Sequence, residues 1–149
     1  MSDPAPIEGR CLCGAVEFEL EAPTDFLGIC HCQSCRLSHG APFVAWTSVP
    51  LDRFSFRAGE ERVRWYRSSR WIRWGFCETC GSPLLYRADE EGHPEAPKVD
   101  RMYVSAGSLV TPLDREVEAH HSYEEKVLWY TPHDLVPRHL AKGSEPLDD

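Results

Sequence analysis

At 149 residues, with 16 basic and 24 acidic side chains and a formal net charge of −8, the chain is sized for one domain with its own core. That charge argues against wholesale electrostatic binding to nucleic acid or to an anionic membrane. The opening MSDPAPIEGR lacks the apolar core of a signal peptide, and no apolar run approaches the ~20 residues of a transmembrane helix, so a cytoplasmic location is expected.

Taken in chain order, residues 9–14 (GRCLCG) carry two cysteines and a glycine, and Val16 to Leu20 (VEFEL) alternates as a strand. Residues 30–40 (CHCQSCRLSHG) hold three cysteines, with LSHG able to form a helical turn. Pro42 to Val49 (PFVAWTSV) is rich in aromatic and β-branched residues, and FSFRAG follows as a further short strand. In ERVRWYR and WIRWGF, Val63 and Trp65 alternate with Arg62 and Arg64, Ser68 and Ser69 turn the chain, and Ile72, Trp74 and Phe76 share a face. That pattern predicts a hairpin. PLLY and RMYVSAGSL read as strands and Ala88 to Lys98 (ADEEGHPEAPK) as an exposed loop, while the segment around Leu113 to Ala119 could hold helical turns. The sum is a mainly β single domain of short twisted antiparallel sheets with few short helices, its core at about 9–140 and frayed tails at 1–8 and 141–149.

Seven cysteines, at 11, 13, 30, 32, 35, 77 and 80, cannot all pair within the chain, and they fall into three tight groups. Closely spaced soft donors suit a metal better than a disulfide framework. Cys77 and Cys80 in FCETCGS have the CxxC-Gly form of a zinc knuckle, because glycine permits the tight reversal that turns amides toward the first sulfur. The other pair followed by glycine is Cys11 and Cys13, so the four together make a closed structural zinc site. Cys30, Cys32 and Cys35 then remain without a fourth sulfur. Either the fourth position is open for chemistry, or a histidine fills it, with His39 better placed than His31, whose neighbours both face the metal.

Zn²⁺ held by three thiolates sums to −1 and acidifies water weakly, so hydrolysis is disfavoured. It suits capture of an incoming thiol as the nucleophilic thiolate, which would attack a small electrophile such as an aldehyde. Gln33, Ser34 and Arg36 are candidate substrate contacts, and His31 or His39 a candidate acceptor of the thiol proton. His120 and His121 are candidates only if the fold brings them close.

The segments GRCLCGAVEFEL, CHCQSCR, FCETCGSPLLY and VSAGSL, with EEKVLWY downstream, resemble the glutathione-dependent formaldehyde-activating enzyme and centromere protein V family from about Gly9 to Leu140. The resemblance implies a twisted mainly β fold of the kind shared with methionine-R-sulfoxide reductases. It implies two zinc ions per chain, a structural one on Cys11, Cys13, Cys77 and Cys80 and a catalytic one on Cys30, Cys32 and Cys35. The activity it implies is condensation of glutathione with formaldehyde to S-hydroxymethylglutathione, classed as a carbon-sulfur lyase by its reverse.

Two other classes compete. Residues 62–74 (RVRWYRSSRWIRW) hold five of the 13 arginines with four aromatics, which would serve a zinc-stabilised module binding nucleic acid or protein. Zinc-bound thiolates would make an acidic chain more acidic still, so nucleic acid is a disfavoured partner. The third class is a thiol redox protein in which Cys30, Cys32 and Cys35 cycle through disulfides.

Overall fold

In the computed structural model, residues 4–90 and 98–141 are described. Most of the charged run after Ala88, with His93, and the MSD and KGSEPLDD ends lie outside them. The strands are β1 (Ile7–Arg10), β2 (Glu17–Leu20), β3 (Leu27–Cys30), β4 (Val44–Pro50), β5 (Phe54–Ala58), β6 (Val63–Arg67), β7 (Ile72–Cys77), β8 (Pro83–Ala88), β9 (Arg101–Ser105) and β10 (Ala119–His121), with one helix, α1 (Gln33–His39). A three-stranded sheet runs β1-β2-β5 and a seven-stranded sheet runs β10-β3-β4-β9-β8-β7-β6. Every pairing is antiparallel except β3 with β10, whose short segments, LGIC and AHH, carried no strand expectation. Among the described residues no helix is long and apolar enough to cross a membrane.

Alternation decides what each face of the large sheet meets. In β2, Phe18 and Leu20 are fully buried while Glu17 and Glu19 lie at or near the surface, and the inward pair joins Val49, Leu85, Val104 and Cys77 in a core between the two sheets. The residues of opposite parity, Trp46 on β4, Tyr103 on β9, Tyr86 on β8 and Trp74 on β7, form a second, aromatic cluster on the other face. Cys30 and Cys35 join that cluster. The register Trp74↔Tyr86↔Tyr103 lines these rings in one row across three strands.

The hairpin expectation holds: β6 pairs β7 with Val63 opposite Cys77 and Arg67 opposite Arg73, and the Ser68 amide donates to the Ile72 carbonyl at 3.1 Å. Its arginines meet acids rather than open space. Arg64 pairs with Glu78, Arg70 with Glu90, and Arg67 and Arg73 with Asp89, while Arg73 also lies over the Trp65 ring. Each exposed pair is worth little in stability, yet together they take up the charge an anion would need.

Residues Leu113 to Glu118 are irregular, with bends at Asp114 and Arg115, and Ala119 begins β10, so the segment is not helical. The physical reason lies in their partners. The Asp114 carboxylate accepts the Thr24 hydroxyl at 2.6 Å and its amide at 3.0 Å, Arg115 Nε donates to the same hydroxyl, and the Glu118 amide donates to Leu27 O. These bonds hold the segment against Thr24 and the start of β3 on a non-helical path.

Candidate metal centres

The first cluster grows out of two turns. Gly14 and Gly81 adopt φ of +78° and +76°, which ordinary residues avoid, and each closes a tight reversal in which its amide donates to the carbonyl of Cys11 or Cys77. The turns bring the sulfurs of Cys11, Cys13, Cys77 and Cys80 within 4.8 Å of one another. Cys11 Sγ lies 3.6 Å from Cys13 Sγ, and Cys13 Sγ lies 3.9 Å from Cys77 Sγ. A tetrahedral thiolate site with metal–sulfur bonds of about 2.3 Å has edges of about 3.8 Å, so this donor set fits such an ion and is far too open for disulfides. The Val16 amide donates to Cys11 Sγ at 3.3 Å, and Ser82 lies 3.1 Å from Cys80 Sγ. The Ser82 hydroxyl, with the backbone amides of Cys13 and Ser82, pulls the Cys80 thiol down to about 5.

The second cluster forms where β3 runs into α1. Cys30 ends the strand, Cys32 caps the helix by accepting the Cys35 amide at 3.3 Å, and Cys35 sits in the first turn, buried. Their three sulfurs also lie within 4.8 Å of one another. The Trp46 indole N–H donates to Cys35 Sγ at 3.3 Å. Hydrogen bonds from Cys30 and Cys35 pull the Cys32 thiol down to about 3, while bonding to Cys32 pushes Cys30 up to about 12, and Cys30 with Cys32 pushes Cys35 up further. Sulfurs this close share one negative charge, and all three ionise together only if a cation neutralises them.

Among the described residues no histidine or carboxylate joins the second cluster. His39 Nδ1 instead faces Ser38 Oγ at 2.8 Å and Cys35 O at 3.2 Å, with its ring edge-on to Trp46 and its Nε2 buried without a hydrogen-bond partner. His31 does not join the cluster either. Its Nε2 lies 2.7 Å from His120 Nδ1, and His120 Nε2 lies 2.9 Å from Asp134. Burial, then His120, holds the His31 imidazole down to about 4, so it is neutral. Arg36 Nε donates to the His31 carbonyl at 3.3 Å and so fixes the ligand loop, whereas Gln33 and Ser34 are exposed. His121 pairs with His139 by ring stacking and lies opposite Cys30 in register.

Spacing alone reveals the cysteines, but it misses Trp46, Tyr86 and Asp134. The one signal for the two aromatics is strand parity, which sets PFVAWTSV and PLLY on a face that no motif marks as a site.

A family model described as glutathione-dependent formaldehyde-activating enzyme matches residues 6–125. An uncharacterized lyase of Schizosaccharomyces pombe is 33% identical over 79 residues, 53% of this chain and 56% of that protein, so the match spans little more than half the relative's length. The crystal structure of a Rhodobacter sphaeroides protein superposes with a TM-score of 0.55 at 26% identity, covering 72% of this chain and 92% of that one. Both cysteine clusters fall within the matched residues, and the solved structure carries the same mainly β architecture, so the chain belongs to the glutathione-dependent formaldehyde-activating enzyme family.

Proposed function

We propose that Cys30, Cys32 and Cys35 hold a catalytic zinc at which a small-molecule thiol adds to a small aldehyde, and that Cys11, Cys13, Cys77 and Cys80 hold a structural zinc. Glutathione and formaldehyde are the pair that the family description names, and the reaction is that of a carbon-sulfur lyase. The observation that carries this reading is a contrast: four sulfurs close one site, while three sulfurs with no fourth donor among the described residues leave the other open. When bound there, zinc supplies a soft Lewis acid that favours the thiolate form of an incoming thiol over ionised water. The protein supplies the rest. N–H groups of Cys35 and Trp46 stabilise the ligand sulfurs, Arg36 holds the loop, and the rings of Trp46, Trp74 and Tyr86 form an apolar wall against water. Free thiol chemistry and seven unpaired cysteines suit a cytoplasmic setting, and the whole is read as one zinc-binding domain.

The test is thiol-dependent consumption of formaldehyde against a glutathione-free control, with metal analysis on the same sample. Two zinc ions per chain and turnover only with thiol are expected. Cys32→Ala should lose one zinc and at least about 100-fold in turnover while remaining folded, at a cost of about 1 kcal/mol for the helix cap. Full activity in that variant would rule out the mechanism, and one zinc with a reversible Cys30–Cys35 disulfide would establish redox chemistry instead.

A further inference from the structure

The aromatic face holds four side chains with polar tips, and three are engaged. Trp46 Nε1 donates to Cys35 Sγ at 3.3 Å, Trp74 Nε1 to Ser68 Oγ at 2.8 Å, and Tyr103 Oη accepts the Lys98 amide at 2.9 Å. The Tyr86 hydroxyl has no hydrogen bond among the described residues, although its ring is packed tightly. Tyr103 stacks on it at 4.4 Å with an interplanar angle of 7°, and Trp46 meets it edge-on at 4.5 Å. A phenylalanine would make the same ring contacts, and since Tyr86 is half-buried and its hydroxyl is not among the enclosed polar atoms, that hydroxyl opens to solvent. Packing therefore accounts for the ring and leaves the hydroxyl free to meet a ligand.

Its position suggests what it is for. Tyr86 stands on the same face of the sheet as Cys30, against the tryptophan that touches Cys35. A tyrosine hydroxyl carries its proton at neutral pH and can donate.

We propose that Tyr86 is a catalytic residue whose hydroxyl donates a hydrogen bond to the aldehyde oxygen as the thiol sulfur adds to the carbonyl carbon. The inference rests on the thiol and aldehyde reading above. In the step a sulfur–carbon bond forms, the carbonyl π bond breaks, and its electron pair goes to oxygen. That oxyanion takes the Tyr86 hydrogen bond and is finally protonated by solvent, which received the thiol proton, so no oxidant or reductant is needed.

Tyr86→Phe keeps the stack and removes only the donor. For zinc-loaded protein, turnover is expected to fall about 100-fold, with KM for thiol, zinc content and melting temperature unchanged. A second readout needs no turnover. Thioacetate carries an oxygen on the carbon bonded to sulfur, and ethanethiol does not. By calorimetric titration, Tyr86→Phe should weaken thioacetate about tenfold and leave ethanethiol unchanged, whereas Tyr103→Phe should change neither. Equal thioacetate affinity in wild type and Tyr86→Phe overturns the proposal whatever the turnover. Failure to bind either ligand overturns both it and the reading beneath it. A thioacetate effect without any thiol-dependent formaldehyde consumption removes that substrate pair and leaves the role of Tyr86 standing.

Discussion

Trp46 joins the two halves of the proposed catalytic site. Its ring is the hub of the aromatic face, touching His39, Trp74 and Tyr86, and its indole N–H donates to Cys35 Sγ. Such a donor disperses charge on a ligand sulfur, and losing partners of this kind typically costs about 10- to 100-fold in metal affinity or activity. Trp46→Phe keeps most of the ring packing and removes the donor. It is expected to lower affinity for the second zinc about tenfold while the first remains bound, as read by competition with a chromophoric chelator. Equal affinity at both sites would assign the bond to packing alone. The residue scale also shows what a sequence conceals. Cys30, Cys32 and Cys35 lie within one short stretch, so their spacing reveals them, whereas Trp46 is 11 residues beyond Cys35 and reaches its sulfur only because β4 pairs with β3.

Among the elements, strands with clear alternation were legible and short segments held by distant partners were not. The β6–β7 hairpin follows from its own pattern, because apolar and charged residues trade places at every step. The irregular stretch from Leu113 to Ala119 does not, since its carboxylate and arginine are committed to Thr24, 90 residues or so earlier in the chain. That commitment has a pH signature. Burial tends to raise the Asp114 carboxyl, but hydrogen bonds from the Thr24 hydroxyl and amide outweigh it, so its folded-state value is lowered. A depressed carboxyl contributes stability above its unfolded value, near pH 4, and loses that contribution as pH falls through the folded value. Asp114→Asn is therefore expected to cost about 1 kcal/mol at pH 7, or roughly 2–4 °C in melting temperature. The gap between wild type and variant should close as the pH is lowered below about 4, and a pH-independent gap would exclude the linkage.

For the molecule as a whole, the two clusters serve opposite faces of one sheet. Cys11 and Cys77 belong to the core between the sheets, whereas Cys35 belongs to the aromatic face, against which α1 packs. A zinc held by the first cluster would therefore tie the β1–β2 turn to the β7–β8 turn, across a sequence separation of 64 from Cys13 to Cys77. Closing so long a loop removes chain entropy from the unfolded state, and the binding energy of a structural zinc, about 10–16 kcal/mol in small domains, rivals the net stability of a whole domain, about 5–15 kcal/mol. The second cluster links residues five apart or fewer, so it constrains little beyond the cap of α1. Chelation should accordingly proceed in two steps. The first zinc removed should come from Cys30, Cys32 and Cys35, abolishing turnover while near-UV dichroism and cooperative melting persist. The second should leave Cys11, Cys13, Cys77 and Cys80 together with the collapse of both signals. Cys80→Ser, which breaks the closed site, should yield a protein that melts early even with the other site loaded. Loss of both metals in one step, or a metal-free chain that still melts cooperatively, would mean that the sheets hold each other without the zinc tie.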